Sequence, residues 1–464
     1  MMIEMNIQNV RIYSINIQNF KNVVSGSLNF YSSKEHSKAC VLGLYGQNGS
    51  GKTALIDTLE LLQYLLCGRP VHNKFADYIN IDAEYASLCF EFGVGELVAS
   101  YSFDIASVPD DNDQNTEYSS DTRKKVRVYN EIFKCSMPEG RQKRTGTLIS
   151  TKSRNVSSPK TKLALLTGKS DDDIDLVVAK KIAELSSRSF IFSKELLEAI
   201  RIQAKNCPSY ELDFFSSILE SLIYFGNRCL LVINTANSGL ISLNTQTFVF
   251  KKDNAKGTII LPLNTPATIP LSQKILVQKL IQSMNIVLKQ IIPGLTVNIK
   301  DLGTQVADNG DTEIRIQLMT RGNKIPLKNE SEGIKKIISV LQLLIVVYNQ
   351  PSITVAIDEL DSGIFEYLLG EILRIISEKG KGQLIFTSHN LRPLETIDKK
   401  FIAFTTTNPQ HRYVRMKNVK SNNNLRDFYY HDIMLGGQKE LLYEPTHNAE
   451  IAFAFREAGL YDDT

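Results

Sequence analysis

Gly46-Gln47-Asn48-Gly49-Ser50-Gly51-Lys52-Thr53 carries its glycines, lysine and hydroxyl at the spacing G-x-x-x-x-G-K-[ST], the pattern of a loop that wraps phosphate. The glycines let backbone N–H groups turn inward on the phosphate oxygens, Lys52 adds a point charge on the β and γ oxygens, and the Thr53 hydroxyl is placed to hold Mg²⁺. The flanking sequence agrees. Residues 40–45, Cys-Val-Leu-Gly-Leu-Tyr, form a short apolar run suited to a buried parallel strand, and residues 54–66 place Leu55, Leu59, Leu62 and Leu66 at helical spacing. Strand, loop and helix in that order predict an α/β chain that binds a nucleoside triphosphate. Gly46, Gln47, Asn48, Gly49, Ser50, Gly51, Lys52 and Thr53 are its first candidate binding residues, a nucleoside triphosphate and Mg²⁺ its expected ligands.

A second set of motifs lies some three hundred residues on. Ile353-Thr354-Val355-Ala356-Ile357 is a β-branched apolar strand ending in Asp358-Glu359. Asp358 is assigned to the metal and Glu359 to the base that polarises an attacking water. On its own, such an acidic pair reads as the exposed end of a strand. About thirty residues later the apolar run Gln383-Leu384-Ile385-Phe386-Thr387 leads into Ser388-His389; a lone histidine is more often structural, and His389 is a second catalytic candidate only through its position. Ahead of the acidic pair, Ser331-Glu332-Gly333 opens the helical stretch 337–347. A small hydroxyl residue and a glycine at a helix N-terminus present O–H and N–H groups to a γ-phosphate, so Ser331 and Gly333 are binding candidates. Asp361 follows in Leu360-Asp361-Ser362-Gly363 and joins the set only through the order of the motifs.

Taken in order, the phosphate loop, Ser331-x-Gly333, Asp358-Glu359, the Asp361 loop and His389 resemble the Walker A, signature, Walker B, D-loop and switch histidine of ABC-type ATPases of the SMC/RecF class. With Asn19-Phe20-Lys21-Asn22, Ile292-Pro293-Gly294-Leu295 and Thr387-Ser388-His389-Asn390, the pattern is similar to the AAA15/AAA21 group found in bacterial anti-phage defence. The resemblance covers most of the chain. It departs in two places. No Q-loop glutamine is evident between Gln63 and Gln114. Only about seventy residues follow His389, too few for the Toprim nuclease fused there in overcoming-lysogenisation-defect proteins.

The resemblance implies an ABC-ATPase head of mixed and parallel sheets with flanking helices, carrying an inserted helical and strand region and no long coiled coil. The implied spans are 1–170 for the first lobe with the antiparallel meander, 171–300 for the insertion, and 301–464 for the second lobe and tail. It implies ATP hydrolysis by a head-to-tail homo-oligomer, because the signature of one copy completes the nucleotide site of another. The missing nuclease points to a separately encoded effector of Toprim or HNH type, as with the AriA component of PARIS or the PtuA component of Septu. The tail, residues 424–430 and 435–455, leans toward the former. A phage-encoded trigger, such as an acidic DNA mimic, would then release the effector. The alternatives are a RecF-like DNA-repair ATPase that clamps DNA directly and an ATP-stabilised scaffold for a toxin.

Bulk properties bound the other classes. The 464 residues, 43% hydrophobic, are ample for a sizeable core, and a net charge of +3 is too mild to argue nucleic-acid binding by itself. No apolar run approaches the ~20 residues of a membrane span, and Met1 to Val10 lacks the apolar core of a signal peptide. The six cysteines show no C-x-x-C spacing, which reads as reduced thiols, a cytoplasmic chain and no zinc site. Charge is concentrated locally. Residues 121–169 hold about thirteen Lys/Arg, among them Arg123, Lys124, Lys125, Arg127, Arg141, Lys143 and Arg144, against about three acids. Such a run suits an anionic partner or a solvated face of the meander. Residues 109–120 read as a mobile acidic loop, and residues 174–204 and 210–227 as helical.

Overall fold

A computed structural model describes residues 7–30, 39–109, 124–136, 145–152, 155–234, 245–252, 255–307, 310–416, 424–435, 438–444 and 446–459. The loop expected at residues 109–120 lies outside them apart from Pro109, as do Arg123, Arg141, Lys143 and Arg144 of the basic run.

The chain is α/β and is organised around two six-stranded sheets. The first is antiparallel. It is built from Val10–Phe20 (β1), Val23–Asn29 (β2), Tyr85–Val94 (β4), Leu97–Pro109 (β5), Lys124–Ser136 (β6) and Thr145–Ser150 (β7), in the order β2-β1-β4-β5-β6-β7. Its sequence alternates as a sheet buried on one face must. Ala86, Leu88, Phe90 and Phe92 on β4 and Ala99, Tyr101, Phe103 and Ile105 on β5 are buried, while the intervening residues are mostly polar.

The second sheet is mostly parallel and carries the site. Its strands are Cys40–Tyr45 (β3), Leu230–Ile233 (β8), Thr354–Ile357 (β15), Gln383–Thr387 (β16), Ile402–Thr405 (β17) and Tyr413–Val414 (β18), ordered β18-β17-β3-β16-β15-β8. β3, β15 and β16 are buried at every position, which accounts for unbroken apolar runs rather than alternation. β8 lies within residues 171–300, so the span read as an insertion contributes an edge strand beside the Asp358 strand. Gln383 joins the two sheets. Its side-chain amide donates to the Ile12 carbonyl (2.8 Å) and its carbonyl accepts from the Ile12 N–H (3.1 Å) and the Thr354 hydroxyl (3.0 Å).

Lys52–Leu66 (α1) is buried on nearly all faces. Lys160–Thr167 (α2), not anticipated from the sequence, precedes Ile174–Leu185 (α3), Lys194–Asn206 (α4) and Tyr210–Arg228 (α5). The helical run expected across residues 174–204 is interrupted. Ser187 adopts φ +55°, and the Ser193 hydroxyl caps a new helix by accepting the Leu196 N–H at 3.3 Å. Serines favour such local bonding over helix interiors.

Beyond β8 come the hairpin Thr245–Lys252 (β9) and Ala255–Pro262 (β10), Ala267–Pro270 (β11), and Leu271–Ile291 (α6), at 21 residues the longest helix among those described. Val297–Val306 (β12), Thr312–Thr320 (β13) and Ile325–Pro326 (β14) form a small antiparallel sheet with β11. Glu332–Asn349 (α7) and Glu366–Lys379 (α8) precede and follow β15, and Pro393–Thr396 (α9), Leu425–Leu435 (α10) and Asn448–Gly459 (α11) complete the described chain. No described helix is long and apolar enough to cross a membrane.

Candidate active site

The parallel register brings three loops to one edge. β16 pairs with β3 up to Thr387↔Leu44 and with β15 up to Ile357↔Phe386. The phosphate loop, Asp358-Glu359 and Ser388-His389 therefore all leave the carboxyl ends of adjacent strands, where open α/β sheets place ligands. Lys21, Asn22, Asn48, Gly49, Gly51, Lys52, Thr53, Asp358, Glu359 and His389 line one cleft of about 280 Å³ there.

The phosphate loop is shaped by backbone that favours glycine. Gly49 (φ +74°) and Gly51 (φ +93°) lie in the left-handed region. α1 starts at Gly51 without any side-chain cap, so its first N–H groups are left for an anion. Lys52 Nζ donates to the Gly46 (2.8 Å) and Gln47 (2.9 Å) carbonyls, bracing the loop. Burial pushes the Lys52 ammonium below the usual lysine range, while Asp358, Glu359 and Asp361 pull it back up. Other parts of the chain support the loop. Tyr413 Oη donates to the Gly51 carbonyl (2.9 Å), Asn22 donates to Gly49 O, the Ser50 and Thr405 hydroxyls meet at 2.5 Å, and the Glu444 N–H reaches Gln47 Oε1 at 3.0 Å.

The acidic side is equally constrained. Asp358 is 1% exposed, and its Oδ1 accepts from the Thr387 hydroxyl at 2.5 Å. Glu359, at φ +46°, is a non-glycine residue in the left-handed region. Such strain costs about 1–3 kcal/mol and clusters at functional sites. His389 is held through its backbone. Asp361 Oδ2 accepts the N–H groups of His389 (3.1 Å) and Asn390 (2.9 Å). Burial and the Lys52 charge lower the His389 imidazole below its ordinary value, against the opposing pull of Asp361, Glu359 and Asp358.

The donor set fits a magnesium nucleotide. The Thr53 hydroxyl and Asp358 carboxylate are the hard oxygen donors that Mg²⁺ prefers, facing the same cleft as the uncapped helix start and Lys52. Ser331 and Gly333 stand apart from it. Ser331 is exposed and caps α7, accepting the Ile334 N–H at 3.4 Å, and Gly333 packs against the backbone of Gly363. Asp361 does not line the cleft within one chain. Lys336, one turn into α7, is 3% exposed; burial lowers its ammonium and Asp361, Glu359 and Asp358 oppose that shift.

No family model matches the chain, and no curated protein matches it. Among solved structures it is similar to the SMC head domain from Thermotoga maritima, at 13% identity and TM-score 0.38, covering 88% of this chain and 99% of that one. An Smc head domain with an extended coiled coil, bound to the C-terminal domain of ScpA and derived from Pyrococcus furiosus, gives 13% identity, TM-score 0.39 and coverage of 88% and 96%. The recombination mediator protein RecF gives 12% identity, TM-score 0.35 and coverage of 88% and 99%. At such scores the chain's own geometry carries the reading of the site.

Several site residues were not legible as such. Thr405, Arg412 and Tyr413 support the phosphate loop from some 360 residues away, Thr405 and Tyr413 in ordinary strand sequence and Arg412 just ahead of β18. A Cβ at Gly46 would collide with the Thr405 hydroxyl, so the first glycine of the loop is required by close approach. Arg412 donates to the Asn22 carbonyl at 2.6 Å, tying the Asn19 to Asn22 turn to the same support.

Proposed function

We propose that the chain is an ATP-binding and ATP-hydrolysing switch of ABC type, working as a head-to-tail homo-oligomer. The cleft carries this reading: Lys52 and Thr53 from one strand-helix junction face Asp358, Glu359 and His389 from the ends of two neighbouring strands. Bound Mg²⁺ would supply charge neutralisation on the phosphates. Thr53 and Asp358 would hold the metal, Lys52 and the start of α1 would hold the phosphates, Glu359 takes a proton from water, and neutral His389 offers a hydrogen bond in the same cleft. Ser331, exposed at an N-cap outside its own cleft, is available to the nucleotide site of a second copy. ATP then joins two heads and hydrolysis parts them, giving two discrete states.

The biological role we infer is control of a separately encoded nuclease in anti-phage defence, with a phage protein as trigger. It rests on the motif order of the AAA15/AAA21 group and, within it, on the similarity to the ATPase component of PARIS. An acidic, DNA-mimicking trigger suits the pocket of about 410 Å³ between β6 and α3, where Arg127, Lys152, Lys180 and Lys181 outnumber Glu184. The same pocket favours the second reading, a RecF-like ATPase that holds DNA itself.

Purification of the Glu359→Gln protein from its native locus, with mass spectrometry of what stays bound, separates the two. A stoichiometric nuclease supports the defence switch. Nucleic acid without a protein partner, together with DNA-stimulated and salt-sensitive hydrolysis by the unaltered protein, supports the repair reading. A chain with no ATP turnover that keeps full biological function as Glu359→Gln would leave only the toxin scaffold.

A further inference from the structure

We propose that Thr387 is a positioning residue that sets both carboxylates of the cleft through one hydroxyl; this rests on reading the cleft as a site for magnesium ATP. The pairing of β15 with β16 ends at Ile357↔Phe386, so the next residue on β16, Thr387, stands beside the Asp358 turn. On its other side Thr387 pairs with Leu44, two residues before the phosphate loop. The side chain is fully buried, at 0% exposure, so no solvent competes for its hydroxyl.

That hydroxyl is used in both directions. Oγ1 donates to Asp358 Oδ1 at 2.5 Å and accepts the Glu359 N–H at 2.8 Å. The Thr387 carbonyl adds a third bond, accepting the Leu360 N–H at 3.1 Å. Donation to Oδ1 fixes the plane of the Asp358 carboxylate. The bonds to the N–H groups of residues 359 and 360 grip the chain on both sides of the Glu359 Cα, the left-handed non-glycine residue of the turn. A residue held at φ +46° persists only where its surroundings over-determine it. Here the hydroxyl and carbonyl of a single residue supply that constraint. Since a hydroxyl is needed as donor and acceptor at once, valine, of the same shape, cannot replace threonine, whereas serine can.

The test compares the full chain with Thr387→Val and Thr387→Ser by equilibrium binding of a fluorescent ATP analogue, with Mg²⁺ and with EDTA, by steady-state turnover and by thermal melting. Thr387→Val is expected to lose the Mg²⁺-dependent gain in affinity and about 10–100-fold of kcat, the usual effect of removing a group that orients a metal ligand. Its binding in EDTA is expected to stay within about twofold of the unaltered protein, and Thr387→Ser is expected to restore both properties. If Thr387→Val fails to fold, Thr387→Ala set against Thr387→Ser asks the same question of the hydroxyl. Retention of the Mg²⁺ effect and of kcat without the hydroxyl overturns the proposal. So does a serine variant as impaired as the alanine or valine one, which would make side-chain volume the requirement. An unaltered protein that binds ATP without turning it over removes the hydrolase reading, while the Mg²⁺ dependence of binding still decides Thr387. A chain with no nucleotide affinity overturns both.

Discussion

Gly333, at the start of α7, lies against the carbonyl of Gly363, so that any Cβ at residue 333 would collide with that oxygen. The start of α7 and the loop after Asp358-Glu359 are thus in backbone contact within one chain. Because the obstacle is backbone rather than a flexible side chain, Gly333→Ala cannot be absorbed by a rotamer change. We expect it to displace the Asp361 loop, with which His389 and Asn390 are bonded. The stability loss should be about 1–3 kcal/mol, as for overpacking elsewhere, and ATP-dependent pairing of heads should fall in the Glu359→Gln background. Size-exclusion chromatography with light scattering, with and without ATP, checks it; pairing equal to that of the parent would show that the contact does not matter.

Lys52 and Glu359 are expected to separate binding from hydrolysis. Lys52→Ala removes the phosphate charge together with the brace on Gly46 and Gln47. A charge-assisted hydrogen bond is worth about 1.5–3 kcal/mol, so ATP affinity should fall by about 10–100-fold in calorimetry. Glu359→Gln keeps the shape and removes the base. It should bind ATP normally and lose about 10²–10⁴-fold of kcat. Near-normal turnover in this variant would move the base elsewhere.

The phosphate loop, the Asp358-Glu359 strand and the run into His389 were readable because each element is local: glycine spacing, an unbroken apolar strand, a carboxylate pair at its end. Sequence did not disclose what holds them. Thr405, Tyr413 and Thr387 act through strand register set by partners some 30 to 360 residues away, and nothing in Ile402–Thr405 or Gln383–Thr387 distinguishes a supporting hydroxyl from an ordinary β-branched residue. β8 went unassigned to the parallel sheet for a similar reason. Leu230–Ile233 is four residues long, and only its pairing with β15 reveals where it belongs. The interruption after α3 was obscured because helical apolar spacing continues on both sides of Ser186 to Ser189.

His389 gives a pH prediction with a definite sign. Its imidazole is lowered from the ordinary value of 6.5 by burial and by Lys52, so it is neutral at pH 7 and protonates only below that value. If neutral His389 is the working form, kcat/KM, which reports the free enzyme, falls on an acid limb centred below 6.5. That limb should disappear in His389→Gln. Stability follows the same direction. A histidine that binds its proton more weakly when folded favours the unfolded state as pH falls from 6.5. A limb centred above 6.5 would contradict the burial argument.

Gln383 carries the remaining prediction, on stability. Its buried side chain satisfies the N–H and C=O of Ile12 and the hydroxyl of Thr354, and so couples the antiparallel sheet to the parallel one that bears the cleft. Gln383→Leu preserves volume but strands three polar groups away from water. Each unsatisfied group costs about 1–3 kcal/mol before relaxation, so a net loss of about 2–5 kcal/mol is expected, at the severe end for a single substitution. Thr387, the other end of the same strand, is four residues away, and a strand loosened at Gln383 should disturb the Asp358 turn as well. Urea unfolding of the variant should therefore show a lower midpoint, and saturating magnesium ATP should recover less of that loss than the same ligand adds to the unaltered protein. A variant with a lowered midpoint but full nucleotide stabilisation would confine Gln383 to joining the sheets.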